Sequence, residues 1–89
     1  MKVKVYVNYD YREVISEKDY ERRVNRFFDD YFNDNDCFAE WLNETYRPYE
    51  VWGFDKAKRE AVRDEYAMRC REWAENEVQD TWTEEEIDV

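Results

Sequence analysis

The chain has 89 residues, with 24 acidic against 14 basic side chains, a net charge of -10 and no histidine. That length holds one small domain, residues 1–89. Without histidine there is no Ser–His or Cys–His nucleophile pair and no imidazole metal ligand, and a single glycine, Gly53, excludes a phosphate-cradling loop.

Residues 2–9 alternate, with Val3, Val5, Val7 and Tyr9 on one side and Lys2, Lys4, Tyr6 and Asn8 on the other. That is the pattern of a half-buried strand, resting on the valine side. Asp10 and Tyr11 read as a turn, and Arg12 to Ile15 as a short returning strand. Ser16 is placed to cap a helix, with Asp19 three residues on and Ile15 and Tyr20 as a hydrophobic staple. Tyr20, Val24, Phe27, Phe28, Tyr31 and Phe32 then recur at helical spacing. The run Asn33-Asp34-Asn35-Asp36 breaks that helix, because these side chains favour turns and caps. A second helix follows, with Phe38, Trp41, Leu42 and Thr45 on one side, and Pro48 ends it. Tyr49 to Phe54 reads as an aromatic connector hinged at Gly53.

Asp55 is the expected cap of the longest helix, about residues 56–79. Its inner face carries Val62, Tyr66, Cys70 and Trp73, with Ala57, Ala61, Ala67 and Ala74 allowing close packing, and Glu65 pairs with Arg69 along it. The last residues alternate again, with Thr83, Ile87 and Val89 on one face, Glu85 excepted, and Trp82, Glu84, Glu86 and Asp88 on the other. A C-terminal strand beside the first would set Glu84 and Glu86 against Lys2 and Lys4. The expected fold is therefore α+β, a small two- or three-stranded sheet packed against about three helices in the order β-(β)-α-α-α-β. Aromatic residues make up 19% of the chain and Leu42 is its one leucine, so the core is built from rings and valine.

Charge falls in blocks. Residues 27–55 carry eight acids against Arg47 alone, and residues 72–89 carry eight acids and no base. The first block contains Asp29, Asp30, Asp34, Asp36, Glu40 and Glu44, of which Asp36, Glu40 and Glu44 form an i, i+4, i+8 row about 6 Å apart. The second contains Glu72, Glu75, Glu77, Asp80 and Glu84. Both run against local stability, the row by like-charge repulsion and the second block by opposing a helix macrodipole. Rows of carboxylates at that spacing imitate a phosphate track, and a basic nucleic-acid channel would bind them as it binds DNA. Trp52, or Tyr49, would supply a desolvated anchor.

Other chemistry finds no pattern. Neither register of an EF-hand loop fits residues 29–45, and nothing singles out two carboxylates for acid–base work. Cys70 falls in an apolar stripe, and Cys37 stands among acids that would raise its pKa. No catalytic residue, metal or cofactor is expected, no apolar run approaches a membrane span, and no export signal opens the chain, so a monomer in a reducing cytoplasm is expected.

In size, charge blocks and aromatic richness the chain resembles the small acidic anti-defence proteins of phages and mobile elements, the anti-CRISPR proteins and antirestriction DNA mimics. The resemblance implies a non-enzymatic inhibitor of a larger basic nucleic-acid-binding protein, a nuclease or defence effector, and no direct contact with nucleic acid. Two other readings share the electrostatics. One is a structural or adaptor domain whose acidic surface serves solubility, and the other is the acidic antitoxin or immunity protein of a basic toxin.

Overall fold

The computed structural model describes residues 1–89. Strands β1 (Lys2–Asn8) and β2 (Glu13–Ser16) form a hairpin, followed by helices α1 (Glu17–Phe32), α2 (Asn35–Thr45), α3 (Pro48–Trp52) and α4 (Lys56–Gln79), then strand β3 (Thr83–Asp88). The sheet is antiparallel with order β2-β1-β3, so the first and last strands are neighbours as expected. The fold is α+β, with one helix more than the sequence suggested.

Local chemistry fixes the boundaries. The Ser16 hydroxyl accepts the Asp19 N–H at the start of α1, and Asp55 accepts the Lys58 N–H at the start of α4. Asp34 caps α2 by accepting from the Asp36 and Cys37 N–H groups. The expected connector is instead helical: Pro48 ends one helix and, at the first position of the next, opens α3 with its φ preset. Gly53 has φ -86°, which any residue adopts, so it is a helix end rather than a hinge.

The sheet rests on its other side. Val5 is buried, but so are Tyr6 and Asn8, and it is Tyr6 that joins Val24, Ala74, Val78 and Trp82 in a core under the helices. The Tyr6 ring stacks on Tyr20 at 3.7 Å, covering more apolar area than a valine offers there. The Asn8 carboxamide oxygen accepts the Tyr11 N–H inside the hairpin turn, which satisfies its buried acceptor. Val3 and Tyr9 lie on the uncovered side, where Val3 pairs with Ile87 and the Tyr9 hydroxyl donates to Glu85. The charge pairing of β1 with β3 is diagonal. Lys4 stands opposite Glu86 but bridges Glu84 at 3.1 Å and Glu17 at 3.9 Å.

Helix α4 is the spine. Its buried residues are Val62, Tyr66, Cys70, Ala74 and Val78, a strict i, i+4 run. Four residues turn an α-helix by about 400°, so this stripe winds about 160° around α4 from end to end. The first half of the stripe meets Trp41 of α2, and the second half meets α1 and the sheet. Two cores result, joined by Phe28, which packs against both. Trp73 is off the stripe and half-buried, and of the four alanines only Ala74 is buried. The molecule is drawn out to 56 × 26 × 16 Å, with a radius of gyration of 17.5 Å. A compact chain of this length would have about 12 Å.

Candidate acidic interaction surface

The turn at Asn33 and Asp34 separates α2 from α1, and α2 packs through Trp41 on the core that α1 and α4 also build. Burying Trp41 against Tyr66 fixes the rotation of α2. Cys37, Glu40 and Glu44 then line one wall of a groove of about 390 Å³, and Tyr31, Trp73 and Glu77 line its other side. Glu40 and Glu44 come from the first acidic block and Glu77 from the second, so the fold joins what the sequence separates. No Lys or Arg lines this groove. Three aromatic side chains, Tyr31, Trp41 and Trp73, and three carboxylates form a surface with an apolar floor and an anionic rim.

The protonation chemistry is consistent with an anionic surface. Hydrogen bonds from the Cys37 backbone N–H, then from its thiol and the Asp36 N–H, hold the Asp34 carboxyl below the usual carboxylate range. Burial, then the Asp34 carboxylate, pushes the Cys37 thiol up, so it is a poor nucleophile at neutral pH. Burial, then the neighbouring Glu77 charge, raises the Tyr31 hydroxyl. Both cysteines are free thiols.

The remaining acidic residues divide by their partners. Glu72 bridges Arg69 at 2.9 Å, Glu75 bridges Arg71 at 3.0 Å, and Glu84 bridges Lys4. Arg69 therefore turns to Glu72 and not to Glu65, which instead accepts the Tyr46 hydroxyl at 2.7 Å. Asp29, Asp30, Asp34, Asp36, Glu40, Glu44, Glu77 and Asp80 form no ion pair. Asp29 and Asp30 are exposed near the C-terminal end of α1, and Asp80 caps the C-terminus of α4. Trp52 is 82% exposed but lines a different groove, among cations, away from the acidic row. Tyr31 and Trp73 were legible only as members of apolar stripes. Their place in the groove depends on how α2 docks, for which the sequence carries no signal.

No group of three or more His, Cys, Asp or Glu side chains is arranged to hold a metal ion, and no helix is long and apolar enough to cross a membrane. Compared with protein-family models, curated proteins and solved structures, the chain matches none.

Proposed function

We propose that this chain is a non-enzymatic inhibitor that occupies the basic nucleic-acid groove of a larger protein, a nuclease or defence effector. The observation that carries the reading is the convergence of Glu40, Glu44 and Glu77 on one aromatic-floored groove with no cation in its lining. Asp36 extends the α2 row by one turn. Carboxylates without internal partners keep their counterions until a partner's Lys and Arg displace them, and that release drives binding. Glu72, Glu75 and Glu84, already paired, contribute less. The aromatic floor of Trp73 and Tyr31 takes the anchoring role that the sequence suggested for Trp52. The two free thiols suit a reducing cytoplasm.

The test begins with capture from a cell lysate at low salt, followed by elution with duplex DNA. The reading requires a retained basic protein that DNA displaces and whose affinity falls steeply with salt. Changing Asp36, Glu40 and Glu44 to Lys should then abolish retention. The same net change at Asp10, Glu13 and Asp64, outside the groove, should not. Equal losses from both triple variants would reduce the effect to bulk charge. Retention that DNA cannot displace would remove the nucleic-acid mimicry.

A further inference from the structure

A second groove, of about 740 Å³, lies at the helical end of the molecule, between α2, α3 and the start of α4. Its floor is apolar, from Phe38, Leu42, Val51 and Phe54, and Trp52 stands in its wall with 82% of its surface exposed. Its rim carries Lys56, Arg59 and Arg63 against one acid, Glu60. This is the reverse of the molecule as a whole, which has ten more acids than bases.

The three cations have no internal carboxylate partner. The ion pairs of the chain use Lys4, Arg22, Arg69 and Arg71. The Arg63 guanidinium lies over the rings of Phe32 and Phe38 at 4.4 and 4.9 Å, which holds it at the rim without neutralising it. Lys56 and Arg59 stand in the first turn of α4, which contains no acidic residue, where the macrodipole disfavours cations. A chain with 24 carboxylates leaves this patch uncompensated.

We propose that this groove is a second docking site, for an acidic peptide segment of a partner that carries one large apolar anchor side chain. The apolar floor and the exposed Trp52 would take the anchor, and Lys56, Arg59 and Arg63 would face the carboxylates on either side of it. The volume lies within the roughly 300–1,000 Å³ typical of ligand-binding clefts. Two copies meeting through this patch would set cation against cation, which disfavours a symmetric dimer. Nucleic acid would find the same cations, but it brings phosphates and planar bases rather than an apolar side chain to the floor of Phe38, Leu42, Val51 and Phe54.

The test is fluorescence anisotropy with three labelled peptides: an Asp/Glu dodecapeptide with one central Trp, the same peptide with Ala for Trp, and a Lys/Arg version that keeps the Trp. The first should bind, and the other two should bind at least tenfold more weakly. Trp52→Ala and the pair Lys56→Glu with Arg59→Glu should each weaken the first peptide at least tenfold. These positions are exposed, and unchanged circular dichroism would show that the fold is intact. Asp36→Lys with Glu40→Lys should not weaken this binding, which separates it from the acidic groove. Equal affinity for the acidic and basic peptides, no binding of the first peptide at millimolar concentration, or tighter binding of a single-stranded oligonucleotide would each overturn the proposal. Self-association that Trp52→Ala abolishes would also overturn it, by making the groove an interface between copies.

Discussion

Replacing Tyr66 by Phe isolates one hydrogen bond at the centre of the helical core. The residue is fully buried, with the rings of Phe38, Trp41 and Phe32 at 4.9, 5.2 and 5.9 Å. Its hydroxyl donates to the Tyr31 carbonyl at 2.8 Å. Phe keeps the ring contacts and removes that bond. The Tyr31 carbonyl still accepts the Asp34 N–H at 3.3 Å, so it is not orphaned, and the cost at neutral pH should be about 1 kcal/mol. In a domain of this size that lowers Tm by about 4–8 °C. The pH dependence is sharper. Burial, first, raises the Tyr66 pKa above the usual 10.0. The unfolded phenol therefore ionises near pH 10 while the folded one stays protonated. Its contribution is intact below pH 10 and is lost as the pH climbs toward the folded value, by up to about 1.4 kcal/mol per pH unit. The Phe variant has no such loss, and the other tyrosines are common to both proteins. The deficit of the variant should shrink above pH 10, vanish near about pH 10.6 and reverse at about pH 11. Urea unfolding of both proteins, followed by circular dichroism from pH 7 to pH 11, measures the difference. A deficit that stays constant across this range would refute the argument.

Trp82→Ala should cost about 3–5 kcal/mol, because Trp82 is 6% exposed and lies under the Arg23 guanidinium, whereas half-buried Trp73→Ala should cost about half that. Thermal melts of the two variants test the ranking, and a larger loss at Trp73 would misplace the winding stripe of α4. Arg12 has φ 54° in the hairpin turn, so Arg12→Gly should stabilise by up to about 1 kcal/mol, the relief of a left-handed conformation less the added freedom of the unfolded chain. A lower urea midpoint would show that the Arg12 side chain matters more than its backbone. Gly53→Ala should be neutral or raise stability by about 0.4–1 kcal/mol, since the new Cβ would stand an ordinary 3.5 Å from the Glu50 carbonyl. A marked loss would restore Gly53 as a hinge.

The elements with strong local signals were legible. Ser16 and Asp55 cap their helices as read, the run containing Asp34 breaks the chain where α1 ends, and the alternation at both termini gave the two strands that pair. The buried side of β1 was not legible, because both sides carry apolar residues and the choice depends on Tyr20 standing where it can stack on Tyr6. Helix α3 was missed because Pro48 is a stop signal for the preceding helix and a start signal for the next. The acidic groove was half legible. The α2 row follows from spacing alone, but Glu77 joins it through the packing of Trp41 on Tyr66, a contact 25 residues apart in sequence.

The charge order along α4 links the two proposed surfaces. A helix stabilised for its own sake places acids in its first turn and bases in its last. Here the first turn has no acid and the last has no base, while cations gather at the N-terminal end and carboxylates at the C-terminal end. Reversing the order would need only an exchange of surface residues, with the buried stripe from Val62 to Val78 left untouched. Because the two cores lie along one 24-residue helix rather than around a common centre, the charge at one end is poorly screened by the other. The two grooves lie on different faces of α2, whose Glu40 and Glu44 line one and Phe38 and Leu42 the other, so a ligand at either surface meets its local charge first, and more distant charges are screened over a Debye length of about 8–10 Å. That is how a strongly acidic chain can present one groove to a basic partner and another to an acidic segment.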